Sequence, residues 1–267
     1  MTAVVITGST KGIGLGLAQE LLKRGCAVAI SSRSRKSVDT TVETLCKEFG
    51  ADKVIGRTCD VTDPVQVQAL WDAAAGAFGK VDIWINNAGI SLSKILLRDL
   101  PPELIAPVVN TNMVGLMYGC QVAACGMLKQ GSGSIFNLEG HGSNDMMVPG
   151  LSVYGATKRG VRYFTEALAE ELKTTPVKIG GMGPGIVITD LVLEDLRRMS
   201  PDDREQSIIL INILADTVET VAPFLVDEML KDPENGASIQ WITSEKANAR
   251  FEDPAYLERD LLSSHGI

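Results

Sequence analysis

Short apolar runs bounded by glycine alternate along this chain with longer stretches of helical periodicity. Residues 3–7 (Ala-Val-Val-Ile-Thr) form the first run, continuous rather than alternating, as expected of a strand covered on both faces. Residues 14–23 follow with helical spacing and close at Arg24-Gly25. The pattern then predicts strands over 26–31, 53–59 and 81–85, with helices over 37–49 and from Pro64 onwards. Gly50 suits the end of the first of these helices, and Pro64 the first turn of the second. In the second half, strands are predicted over 134–138, 177–181 and 237–242. Helices are predicted within 104–129, as one piece or two, over 152–173 and over 218–230. Strands and helices alternating in this way imply βαβ units and a parallel, doubly wound α/β sheet. No repeat, low-complexity tract or long linker divides the chain, so one domain is expected over residues 1–267.

Composition narrows the picture. A length of 267 residues, 45% hydrophobic and 22% charged, fits one ordinary globular core. A formal charge of −8 argues against a general nucleic-acid surface, so any anionic ligand needs a local basic pocket. Cys26, Cys46, Cys59, Cys120 and Cys125 show no C-x-x-C spacing and are odd in number, which reads as reduced thiols. His141 and His265 stand far apart, and no metal-site spacing appears. The chain enters its first strand without a basic leader, and no apolar run has spanning length. These features lead to the expectation of a cytoplasmic protein with no metal and no membrane span.

Two constellations carry chemistry. Thr7-Gly8-Ser9-Thr10-Lys11-Gly12-Ile13-Gly14 follows the first strand and opens the first helix, where a dinucleotide pyrophosphate meets backbone N–H groups and a helix dipole. The end of the second strand reads Ile30-Ser31-Ser32-Arg33, with no acid before Asp39. A carboxylate there would take the ribose hydroxyls of NAD, whereas Arg33, Lys11 and Ser32 offer donors for the extra phosphate of NADP(H). Tyr154 and Lys158 form the second constellation. Four residues apart on a helix, they share a face. A neighbouring ammonium is expected to lower the phenol's pKa and suit it to proton transfer.

Taken together, these residues resemble the short-chain dehydrogenase/reductase family over essentially the full chain. The family's pattern is also matched by Cys59-Asp60-Val61, by Asn86-Asn87-Ala88-Gly89, by Asn112 in Asn112-Met113-Val114-Gly115, and by Pro184-Gly185 with Thr189. The resemblance implies a Rossmann fold with a central parallel seven-stranded sheet. It places Asp60 and Val61 at the adenine, Asn87, Ala88 and Gly89 beside the adenine ribose, and Pro184, Gly185, Val187 and Thr189 over the nicotinamide. Catalysis by Tyr154, Lys158 and Asn112 is implied, with Tyr154 moving the proton and Lys158 also holding the nicotinamide ribose. Asn112, on a kinked helix, would hold a water linking Lys158 to solvent.

One position departs from the family. Gly140 stands where a serine usually orients the substrate carbonyl, in Asn137-Leu138-Glu139-Gly140-His141-Gly142-Ser143. Ser143 is the nearest replacement, His141 the rival donor, and Glu139 a structural acceptor. This departure, with Asn212-Ile213-Leu214-Ala215-Asp216 and Glu219-Thr220-Val221-Ala222, is similar to the branch containing chlorophyll(ide) b reductases and their bacterial relatives.

The expected activity is hydride transfer between nicotinamide and the carbonyl or hydroxyl of a bulky hydrophobic substrate. A formyl reductase of the chlorophyll(ide) b type and a catalytically weak NADP(H)-binding regulatory protein are the alternatives. Residues 1–90 are assigned mainly to cofactor and 91–267 to catalysis and substrate. Substrate contacts are expected from 91–97, from Met146 and Met147, and from an apolar lid at about 186–214 that contains Leu191, Leu193, Leu196, Ile209, Leu210 and Ile211. The alternative for the lid is a helix pair packed on the body. Apolar residues around much of 108–128 lead to the expectation of a homodimer or homotetramer.

Overall fold

The computed structural model describes residues 1–92, 94–144 and 146–267. In chain order it contains β1 (Ala3–Ile6), α1 (Gly12–Lys23), β2 (Ala27–Ser32), α2 (Arg35–Phe49), β3 (Val54–Thr58), α3 (Pro64–Phe78) and β4 (Ile83–Asn86). After a loop come α4 (Ile105–Val109), a π-helical turn (Asn110–Gly115), α5 (Leu116–Gln130), β5 (Gly133–Leu138), α6 (Ser152–Leu172) and β6 (Val177–Gly183). The last part holds β7 (Ile186–Ile188), α7 (Asp190–Arg198), α8 (Pro201–Leu214), β8 (Ala215–Thr217), α9 (Val218–Leu230), β9 (Ser238–Gln240), α10 (Ser244–Glu252) and α11 (Pro254–Leu257).

The main sheet is parallel throughout, in the order β3-β2-β1-β4-β5-β6-β9. Strand order reverses between β1 and β4, and the crevice outside their C-terminal ends is where such sheets hold ligands. Alternate residues of each strand feed two cores. Val4, Ile6, Val28 and Ile30 pack with Leu17 and Leu21 of α1, Leu45 of α2 and Leu225 of α9. Val5, Ala29 and Trp84 face Leu70 and Trp71 of α3, Cys120 of α5 and Val161 of α6. Burying a Val, Leu or Ile side chain contributes about 1.5–3 kcal/mol, and this double coverage explains the uninterrupted apolar strands.

Local chemistry fixes the element ends. Asp63 caps α3 by accepting from the N–H groups of Val65 and Gln66, with Pro64 in the first turn and Gly79 in left-handed conformation at the far end. The predicted long helix over 104–129 is α4 and α5 joined by the π-helical turn. A buried polar chain crosses the second core. Trp84 Nε1 donates to Asn86 Oδ1 at 2.8 Å, Asn86 Nδ2 to Asn137 Oδ1 at 2.9 Å, and Asn137 Nδ2 to Thr165 Oγ1 at 2.9 Å. Cys120 Sγ lies 3.2 Å from Asn86 Nδ2 and 3.3 Å from Asn137 Oδ1.

Two parts exceed the sequence-based expectation. Strands β7 and β8 form a separate two-stranded parallel sheet at the base of the lid. The chain beyond 243 folds into α10 and α11, which contact α8. Asp216 in β8 clasps this tail: Arg250 Nη2 of α10 is 2.6 Å from its Oδ2, and Arg259 Nη2, just past α11, is 3.1 Å from its Oδ1. No helix among the described residues is long and apolar enough to cross a membrane.

Candidate active site

The glycine-rich loop is braced from beneath. Thr7 Oγ1 accepts from the N–H groups of Asn87 at 3.0 Å and Ala88 at 3.1 Å, while Asn87 Nδ2 donates to the carbonyls of Thr7 and Gly8 at 2.8 Å. Ser9, wholly buried, donates from Oγ to Ile6 O at 2.7 Å and accepts from Ser31 N at 3.0 Å. Its own N–H is spent on Ser31 O, so Ser9 shapes the loop from below. Gly8 has φ +63°, and a Cβ there would stand 2.8 Å from Ala88 Cα. A Cβ on Gly14 would run into the Asn87 amide, and one on Gly12 would lie 3.4 Å from the Thr189 methyl. Lys11, at the N-cap of α1, makes no side-chain cap, and among the described residues no side chain accepts from the first amides of this helix. Thr10 and Ile13 are half-buried beside it. This uncapped, glycine-lined cradle fits a pyrophosphate.

Arg33 at the tip of β2 and Lys11 at the start of α1 are exposed and make no ion pair among the described residues, whereas Arg35 is held by Asp39 at 2.8 Å. Ser32 Oγ is engaged locally, donating to Ser34 O at 3.2 Å and accepting from Ser34 N at 3.3 Å. Asp60 Oδ1 accepts from Thr62 N and Thr62 Oγ1, and the Asp60 N–H donates to Gln66 Oε1. Val61 is buried against Gly115.

On α6, Tyr154 and Lys158 share one face, with Lys158 Nζ 5.9 Å from the Tyr154 ring centre. Lys158 is buried and donates to Leu138 O, at the end of β5, at 3.0 Å. Asn112 hangs from the π-helical turn. Its Oδ1 accepts from Ile90 N at 2.9 Å, and its Nδ2 donates to Ile90 O at 2.9 Å and to Thr157 Oγ1 at 3.1 Å. The Asn112 side chain therefore ties the loop after β4 to α6. Gly89 faces both groups; a Cβ there would stand 3.4 Å from Asn112 Oδ1 and 3.8 Å from Lys158 Nζ.

Gly140 has a specific neighbour. A Cβ added to it would stand 2.7 Å from Tyr154 Oη and 3.1 Å from Lys158 Cε. The phenol thus occupies the space that a serine at this position would need. Ser143 closes the turn, donating its N–H to Gly140 O at 3.0 Å, and its own carbonyl accepts from Arg159 at 3.1 Å. It is buried, and no hydrogen bond joins it to Tyr154 or Lys158 among the described residues. His141 Nε2 is buried with no hydrogen-bond partner among the described residues, and burial lowers the imidazole's pKa. Glu139 accepts from Gln240 Nε2 at 2.9 Å, the structural role anticipated for it.

The electrostatics correct one expectation. Burial pushes the Tyr154 phenol up to about 12, and Asp195 adds to the rise, so its pKa is raised rather than lowered. Lys158 is itself stripped of water and falls to about 8, with Glu139 opposing that fall. Asp195, on α7, escaped the sequence reading because nothing in its spacing marks it. Burial raises its pKa against a hydrogen bond from Ser91 and the Arg198 charge.

The predicted lid resolves into β7, α7 and α8. Leu193, Leu196 and Ile211 pack with Ile188, Ala215 and Leu262 into a small core of their own, whereas Leu191, Ile209 and Leu210 are exposed. Met146 and Met147 are exposed too; the predicted segment 91–97 includes Ser93, which lies outside the described residues. Pro184 and Val187 are buried, and Gly185 turns the chain with φ +71°. A cavity of about 370 Å³ opens beside Ile90 and Ser91, bounded by Ile95, Leu104, Val108 and Arg198. Among the described residues no group of three or more His, Cys, Asp or Glu could hold a metal.

Comparison with known proteins fits this geometry. The pattern of the short chain dehydrogenase family matches residues 2–200. Chlorophyll(ide) b reductase NOL, chloroplastic, of Oryza sativa subsp. japonica is 41% identical over 257 residues, spanning 93% of this chain and 73% of that protein. The probable chlorophyll(ide) b reductase NYC1, chloroplastic, of Arabidopsis thaliana is 36% identical over 256 residues, spanning 90% of this chain and 50% of that protein. Among solved structures, a variant of actinorhodin polyketide ketoreductase with NADPH superposes with a TM-score of 0.79 at 29% identity, covering 92% of this chain and 97% of the other. An NADPH-bound variant of ElxO gives 0.77 at 29%, covering 90% and 96%.

Proposed function

The chain belongs to the short-chain dehydrogenase family, and on that premise we propose that it is an NADP(H)-dependent oxidoreductase acting on the carbonyl or hydroxyl of a bulky hydrophobic substrate. One observation carries the reading: the Tyr154 hydroxyl lies against Gly140 and Lys158, at the sheet edge that also holds the glycine-lined cradle.

When bound, the nicotinamide supplies or accepts the hydride. Tyr154, with a pKa of about 12, holds its proton at neutral pH and starts as an acid, which suits reduction. Lys158, at about 8, keeps its charge at neutral pH and stabilises negative charge developing at the phenol oxygen. Asn112 fixes the loop after β4 against α6, so that Gly89 and Ile90 stay beside these groups. Ser143 is the proposed second donor to the substrate oxygen.

Preference for NADP(H) rests on Arg33, at a β2 tip that carries no carboxylate, and on Lys11 at the start of α1, neither in an ion pair among the described residues. The NADPH bound to both solved relatives supports it. Gly8, Thr10, Gly12, Ile13, Gly14, Asp60, Val61, Asn87, Ala88, Pro184, Gly185, Val187 and Thr189 complete the proposed cofactor site. A chlorophyll(ide) b-type formyl reductase is the second reading, favoured by the names of the two plant relatives over nine-tenths of this chain. Half-buried Met117, Tyr118 and Val122 on α5 and exposed Tyr163 on α6 support a homodimer or homotetramer.

The test is turnover of a panel of aldehydes and ketones with NADPH and with NADH. Reduction of large apolar carbonyls with NADPH is expected. No turnover of any member, by protein that still binds NADPH, would leave only the regulatory alternative.

A further inference from the structure

The lid helices are joined firmly to each other and sparingly to the loop they face. Arg204 of α8 donates to Leu196 O at 2.9 Å, Arg197 O at 3.0 Å and Met199 O at 3.3 Å, so α7 and α8 form one body. Lys94 Nζ from the loop after β4 stands 2.8 Å from Asp203 Oδ1 of α8. Among the described residues it is the only ion pair between the lid and that loop.

Both partners are set in advance. The Lys94 stem lies against Gly150, where a Cβ would stand 2.8 Å from Lys94 Cγ, and Ile95 N donates to Gly150 O at 3.1 Å. Ser200 Oγ donates to Asp203 Oδ2 at 2.8 Å and accepts from Asp203 N at 3.3 Å. The pair thus brings three segments together: the loop after β4, the loop before α6 and the lid. Ile95, the chain neighbour of Lys94, and Arg198 of α7 line a cavity together with Ile90 and Ser91. Its 370 Å³ is near the lower end for ligand pockets, about 300–1,000 Å³. A substrate with a large ring system needs the mouth to widen.

Resting on the reading of the chain as a carbonyl oxidoreductase, we propose that the Lys94–Asp203 ion pair is the size gate of the substrate pocket. Small carbonyl compounds pass beneath the joined lid, and bulky apolar ones enter when the pair parts. The lid swings with α7 and α8 together, because Arg204 binds them. Lys94 and Asp203 are specificity-determining residues that touch neither the reacting carbonyl nor the cofactor.

The experiment uses the full chain in four forms: wild type, Lys94→Gln, Asp203→Asn and the double variant. Backbone hydrogen exchange over 201–214 is followed by mass spectrometry, with thermal melting as the check on folding. Each single variant is expected to exchange about two- to fivefold faster, the range for a half-exposed ion pair. The double variant should match a single one, because either change already breaks the pair. Unchanged exchange in folded Lys94→Gln, or additive effects in the double variant, overturns the gate. A second readout is kcat/KM across aldehydes that share a reacting group but differ in bulk. The bulky-to-small ratio should rise by a similar factor in each single variant, and a constant ratio also overturns the proposal. A wild type that reduces no carbonyl defeats the functional reading alone, since exchange judges the gate without turnover.

Discussion

Around Thr7, hydrogen bonds of 2.7–3.1 Å knit the ends of β1, β2 and β4 together through Ser9, Asn87 and Ala88, and every one of these atoms belongs to the sheet or its first turns. The lid above Tyr154 is joined differently. It has a small apolar core of its own, clasps to the C-terminal tail through Asp216, and meets the loop after β4 through Lys94 and through the Ser91 hydrogen bond to Asp195. Both regions flank one crevice, yet one is cross-braced and the other is held by a few separate links. A cofactor of fixed shape is served by a fixed cradle, whereas a lid that admits a substrate draws on elements of low local stability.

Four substitutions test this contrast. Tyr154→Phe should have the largest effect, lowering kcat by about 10²–10⁴-fold while NADPH affinity, read by fluorescence titration, stays close to wild type. Retention of more than a tenth of the activity would place the proton donor elsewhere. Ser143→Ala comes next: loss of one donor to the substrate oxygen should cost about 2.7–4 kcal/mol in kcat. His141→Ala is its control, and a large loss there with none at Ser143 would transfer the role to the histidine.

Arg33→Ala probes the braced end. Losing a charged contact to the phosphate should cost about 1.5–3 kcal/mol in kcat/KM for NADPH and little for NADH. Equal use of both cofactors by the wild type would break the assignment. Gly140→Ser should have the smallest effect and the most instructive sign. Restoring the family's usual serine should lower activity by about 1–3 kcal/mol in kcat/KM, because its Cβ meets the Tyr154 hydroxyl. A rise in activity would mean that the phenol retreats readily and that the gap is a simple loss.

Legibility in the sequence followed burial. The central strands β1, β2 and β4 are buried on both faces and announce themselves, and the periodicity places α9 at 218–230, its observed bounds. Strand β7 has three residues and pairs with β8 across two intervening helices, so no local pattern reveals it. Helix α10 buries Arg250, a cation made tolerable inside by Asp216, and therefore lacks an apolar stripe. Leu193, Leu196 and Ile211 suggested a surface for substrate, but they turn inward to one another. Spacing placed Lys158 beside Tyr154 without revealing how dry both would be, and so the direction of the phenol's shift was missed. Asp195 reaches the site only through the packing of α7.

The buried chain from Trp84 to Thr165 also governs thiol chemistry. Cys120, enclosed between Asn86 and Asn137, has its pKa pushed up to about 12 by burial, as has Cys59 in the same core. Neither supplies a thiolate to an oxidant or alkylating agent while the sheet is intact, whereas Cys125, one helical turn beyond Cys120 on α5, is open to solvent. A single helix therefore carries one cysteine exposed on the free subunit and another that reacts only when the sheet core opens, which makes the buried thiol a clock for unfolding.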